Sequence, residues 1–130
     1  MTARRAAAVF PGSPDQAAVA RRWFADWLGA GHPAADTAVL LLSEVFSNAC
    51  LHSRSAGPGG TVDVVAEEAG RIVRVEVVDG GGGSASLTAG DPSDDAESGR
   101  GLWLLDLLAK EWGWRSLSDG RLGVGFSVAF

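Results

Sequence analysis

A chain of 130 residues can close one hydrophobic core but is too short for two ordinary domains, so residues 1–130 read as a single domain. Sixteen acidic residues against eleven basic ones leave a formal charge of -5, and no basic stripe with interleaved aromatics occurs, which argues against direct binding of nucleic acid. Cys50 is the single cysteine, so an intramolecular disulfide and a thiolate metal cage are both excluded, and its place in an apolar helical run marks it as a core residue.

Arg4 and Arg5 precede an apolar stretch that stops at Pro11-Gly12, too short for a signal peptide or a membrane span; a cytoplasmic protein with no membrane attachment is the expectation. Residues 4 to 10 read as an edge strand, despite the poor strand preference of Ala6, Ala7 and Ala8. Ser13 stands as N-cap of a first helix, with Pro14 at its first position, Val19, Trp23, Phe24, Trp27 and Leu28 at helical spacing, and Gly29-Ala30-Gly31 as its stop. A longer helix is predicted from Pro33 to about Ser53, with Asp36 in its opening turns. Val39, Leu42, Val45, Phe46 and Ala49 form the face that packs on a sheet. Glu44, Asn48 and His52 lie on the other side together with Leu40, Leu41 and Leu51, a mixed surface that suits the wall of a ligand cleft.

Gly57-Pro58-Gly59-Gly60 breaks the chain before a hairpin: Thr61 to Ala66 alternate as a strand, Glu67 to Gly70 turn, and Ile72 to Val78 return with Arg74 and Glu76 on one face. Gly80 to Ser98 are too poor in large apolar residues to pack and read as a flexible loop. A short leucine-rich helix spans Gly101 to Lys110, Trp112, Trp114 and Leu117 alternate as a third hairpin strand, and Val124, Phe126, Val128 and Phe130 make the last. The element order indicates an α+β fold, an α/β sandwich whose helices pack on one face of a mixed, largely antiparallel sheet.

Three short stretches carry the chemistry. Glu44 and Asn48, one helical turn apart, offer a proton acceptor and an amide oxygen of the kind magnesium takes alongside phosphate oxygens and water. Asp79 ends an apolar strand and enters Gly80-Gly81-Gly82-Gly83, where a carboxylate can accept a hydrogen bond from an adenine amino group and bare backbone lets the base come close. Gly99-Arg100-Gly101-Leu102 opens a helix, whose unpaired amides and dipole suit phosphate. His52 and Ser53 lack a nucleophile elbow and an acid partner, so a hydrolase triad is not the reading.

These stretches resemble, in the same order, the N box and the two glycine boxes of the GHKL ATPase superfamily, with Glu44 to Asn48 as the N box, Asp79, Gly81 and Gly83 as the first glycine box, and Gly99 and Gly101 as the second. The string from Glu97 to Leu102, followed by an apolar helix and Trp112-Gly113-Trp114, is similar to the small stand-alone anti-sigma-factor serine kinases of bacteria. The resemblance implies a histidine kinase-like ATPase fold and ATP with Mg2+ as cofactors. It implies Asn48 as magnesium ligand, Glu44 as general base and Asp79 as adenine acceptor. Gly81, Gly83, Gly99, Arg100, Gly101 and Leu102 would make nucleotide contacts, and about 80–98 would form the lid. It further implies a sigma factor and an anti-sigma-factor antagonist protein as partners, the latter phosphorylated on serine or threonine; a nucleotide-gated binding module without kinase activity is the alternative. Two departures stand out: Leu51 falls where relatives often have a basic residue, and Gly123 to Phe126 lack the threonine often found near the site. Exposed faces of the first helix could support a homodimer.

Overall fold

The computed structural model describes residues 3–52, 60–79, 103–118 and 120–130, with backbone alone at 51 and 52. In chain order these form β1 (Arg4–Pro11), α1 (Gln16–Leu28), α2 (Ala35–His52), β2 (Thr61–Ala69), β3 (Ile72–Asp79), a helical stretch at 103–108 that we label α3, β4 (Glu111–Ser116) and β5 (Leu122–Ala129). The strands make one sheet in the order β1-β2-β3-β5-β4, and every pairing is antiparallel. The expected α+β sandwich is therefore the observed fold, and among the described strands its sheet has no parallel pair. None of the helices in the described residues is long and apolar enough to cross a membrane.

Two-residue alternation sorts the sheet into unlike faces. Rows Val64–Val77–Val124 and Ala66–Val75–Phe126 run across β2, β3 and β5 and are buried under the helices. Rows Glu67–Arg74–Ser127 and Val65–Glu76–Gly125 occupy the other face, which the described helices leave open. A slip of one residue would exchange these sets, so burial of the valine rows specifies the register. Glu67 to Ala69 belong to β2 rather than to the turn expected there. Gly70 has φ 63° and closes the hairpin with Arg71 in two residues, so the strands run up to it.

The helical layer is built around aromatic contacts. Phe10 of β1 meets Trp23 of α1 and Phe46 of α2 edge-on, each with ring centroids 5.8 Å apart. Phe24, Phe46, Leu41 and Leu42 are fully buried; each such side chain contributes about 2–3 kcal/mol relative to leaving it in water. Two expectations about faces need correction. Val19 points outward while Ala17, Ala20, Phe24 and Leu28 form the buried stripe of α1. Leu41, expected beside Leu40 on the other side of α2, is buried because it lies three residues after Ala38 and four before Val45, which is core spacing.

Helix starts also differ from the reading of caps. Ser13 does not cap α1: its hydroxyl donates to the Asp15 carboxylate, its carbonyl accepts from Gln16 N–H at 2.9 Å, and Asp15 takes the cap position without a capping bond from its side chain to the helix amides. α2 begins at Ala35 rather than Pro33. The His32 ring accepts from Ala34 N–H at 3.0 Å and its carbonyl from Ala35 N–H at 3.1 Å, so His32 takes up the first orphan amides. Gly29, with φ 98°, ends α1 where expected, its N–H on Ala25 O at 3.0 Å.

Candidate functional site

β3 is the middle strand of five, with α2 packed across it. Val73, Val75 and Val77 point into the helical layer, and alternation carries Asp79 to that same side at the strand's last residue. Asp79 is only 4% exposed, and its register partner on β5 is Leu122. The Cys50 thiol reports its surroundings: burial, and then the charges of Asp15 and Asp79, push its pKa up to about 11. The Asp79 carboxylate thus lies within electrostatic reach of the C-terminal turns of α2. Cys50 is buried, in keeping with its reading as a core residue.

Asn48 is buried at 9% exposure and Glu44, one turn earlier, is half-buried. Their position around the helix axis matters more than their burial. Arg21 of α1 donates to Ser43 Oγ at 2.9 Å, which marks the side of α2 that faces α1. At 100° per residue Asn48 stands about 140° round from Ser43. It therefore faces away from α1, toward the half of the sheet that carries α3. That helix is anchored over β4 by buried Leu105 and by Trp112 Nε1, which donates to Asp106 Oδ1 at 2.6 Å. Glu44 and Asn48 form the wall of α2 on that side, and Asp79 lies beneath the same helical layer where β3 ends.

Of the residues singled out from the sequence, Glu44 and Asn48 lie one turn apart on α2, and Asp79 ends β3, the strand on which α2 packs. Gly81, Gly83, Gly99, Arg100, Gly101 and Leu102 lie outside the described residues, as does the expected lid; so do the side chain of Leu51 and Arg54. Arg21 escaped the sequence reading, because an arginine on the polar side of an amphipathic helix looks like any solvated charge. Its bond to Ser43 fixes α1 against α2 one residue before Glu44. A groove of about 580 Å3 among the described residues runs over the open face of the sheet past Arg74, Glu76, Gly113, Arg115 and Gly125. The sheet itself separates this groove from the Asp79 side chain, which alternation puts on the helical side.

The chain matches the histidine kinase-like ATPase domain over residues 10–125, which runs from the last inward residue of β1 to the middle of β5 and includes all three motifs. Such a match implies ATP binding. No curated protein matches the chain.

Proposed function

Because this chain belongs to the histidine kinase-like ATPase domain family, we propose that it is an ATP-dependent serine/threonine protein kinase that phosphorylates an anti-sigma-factor antagonist and, in another nucleotide state, holds a sigma factor. The observation that carries the reading is the placement of Glu44 and Asn48 on the margin of α2 turned toward α3, with Asp79 buried under the same layer. Asp79 would accept a hydrogen bond from the adenine amino group. Among the described residues no three His, Cys, Asp or Glu side chains gather as a metal cage. Mg2+ suits this donor set nonetheless, since the Asn48 amide supplies one hard oxygen, and phosphate oxygens and water complete an octahedron. The ion, when bound, neutralises phosphate charge.

Glu44 is then the base. It accepts the proton of the attacking serine hydroxyl while the oxygen bonds to the γ-phosphorus and the bridging oxygen leaves with ADP. The remaining demand of the reaction is positioning, which the rigid α2–β3 packing supports.

The test is transfer of labelled phosphate from ATP to candidate antagonist proteins in magnesium, with binding measured in parallel. Glu44→Ala should lower the transfer rate at least ~100-fold and leave ATP affinity nearly unchanged. If ATP binds and no antagonist is labelled, the chain is instead a nucleotide-gated binding module whose protein surface responds to ATP. If saturating ATP and magnesium fail to raise stability by about 2–3 kcal/mol, the nucleotide site itself is wrong.

A further inference from the structure

Among the described strands β4 is the outer one, beside β5 alone, and nearly all of it is exposed. The hydrogen-bond phase of this edge follows from the turn that joins β4 to β5. Leu117 N–H donates to Arg121 O at 2.8 Å, in continuation of the Ser116↔Leu122 register. Hydrogen-bonded pairs alternate along an antiparallel ladder. Glu111, Gly113 and Arg115 therefore direct their backbone groups at β5, and Trp112, Trp114 and Ser116 direct theirs outward, where an edge invites a further strand.

The order of side chains on that edge is self-complementary. If a second β4 is laid antiparallel with Gly113 opposite Gly113, then Glu111 meets Arg115, Arg115 meets Glu111, and Trp112 meets Trp114. The backbone phase agrees: the tryptophan pair falls at the hydrogen-bonded position and the charged pair at the closer, non-bonded one. A slip of two residues either way sets Gly113 against Arg115 or Glu111 and forfeits the charge pairing. Arg115 already grips Glu76 through Nε at 2.8 Å and Nη2 at 2.9 Å, which holds its guanidinium in place on the open face. Apolar groups collect at the same border: Trp114 is 42% exposed, and on α3 Trp103 and Leu107, one turn apart, are 59% and 57% exposed. A twofold axis perpendicular to the sheet would bring both copies of α3 to the same side of the joint sheet, so this surface would be covered as well.

We propose that this protein forms a homodimer through antiparallel pairing of β4 with β4 of a second copy, about a twofold axis at Gly113, giving one sheet of two joined halves. The proposal goes beyond the nucleotide reading and does not depend on it.

Crosslinking and sedimentation of the full chain test it. A Cβ at Gly113 would have no neighbour within 4 Å, so Gly113→Cys is tolerated by the fold. Opposed residues at a non-bonded antiparallel pair are close enough for a disulfide. Mild oxidation should turn Gly113→Cys into a covalent dimer. The buried, protonated Cys50 does not compete. Adding Glu111→Arg should suppress the crosslink. In sedimentation the unmodified chain should dimerise reversibly. Glu111→Arg should raise the dimer dissociation constant about tenfold, since two attractive cross-strand pairs become repulsive. The double variant Glu111→Arg, Arg115→Glu should bring it back to within a few-fold. Thermal melting confirms that each variant is folded. A chain that stays monomeric at hundreds of micromolar overturns the proposal, as does a dimer indifferent to Glu111→Arg, a failure of the charge swap to restore association, or crosslinking that Glu111→Arg does not reduce.

Discussion

Near the N-terminal end of α2 polar side chains bond to one another; toward its C-terminal end Asn48 is buried. In the first region Arg4 donates to Trp27 O at 2.6 Å and Leu28 O at 3.2 Å, which satisfies carbonyls at the end of α1, and to Glu68 Oε1 at 2.7 Å, while its guanidinium lies 4.2 Å over the Trp27 ring. The same Glu68 oxygen meets His32 Nε2 at 3.1 Å. Because His32 Nδ1 accepts from Ala34 N–H, its proton is assigned to Nε2, which donates to Glu68. The network joins β1, β2, α1 and the start of α2. In the second region Asn48 is buried near the C-terminal end of α2 and Asp79 is buried at the end of β3. On the proposed function, the first region serves stability and the second serves nucleotide binding.

Substitutions should separate the two roles. The largest effect is expected at the binding end: Asp79→Asn keeps the shape of the side chain but loses the charged acceptor, and should weaken ATP about 100-fold in isothermal titration. Its melting temperature should shift little by comparison. Unchanged affinity would remove Asp79 from the site and erase the contrast. At the other end Arg4→Ala should cost about 2 kcal/mol, or roughly 8 °C in melting temperature, through loss of the helix-end bonds and the stacking on Trp27, with ATP affinity unchanged. A comparable loss of ATP binding would show that the two ends are coupled.

The smallest effect carries a pH signature. The Arg4 hydrogen bond, followed by that of His32 and the charges of both, holds the Glu68 carboxyl below its ordinary pKa of 4.5 against the opposing pull of burial. A carboxyl whose pKa is lowered by folding contributes stability above its unfolded value, and that contribution is lost as pH falls through the folded one. Glu68→Gln should therefore melt a few degrees below the unmodified protein near neutrality, a difference of about 1 kcal/mol for a partly exposed pair. The gap should close as pH drops below 4.5. A gap that persists in acid would assign the stabilisation to packing rather than to charge.

Much of the candidate site was legible in the chain because its signals are local. Glu44 and Asn48 are four apart on an uninterrupted helical run, and Asp79 closes an apolar strand; both patterns survive folding unchanged. Nearest neighbours in sequence mislead at Leu41 and at the Glu67–Gly70 turn, which are decided by the core beneath α2 and by the positive φ of Gly70; Ser13 is drawn off its cap role by the nearby Asp15 carboxylate, and Val19 lies outside the buried stripe of α1. Arg21 went unnoticed because its partner, Ser43, is on another helix.

By itself the sequence determined the kind and order of the described elements, the alternation of the hairpin strands and the order of the three motifs, since periodicity and helix spacing are properties of adjacent residues. Tertiary structure alone decided that β5 inserts beside β3 and leaves β4 at the edge, that Asp79 falls on the middle strand, and that His32, Glu68 and Arg4 meet. Those outcomes depend on which surfaces bury one another, and the energy of burial is shared among residues far apart in the chain.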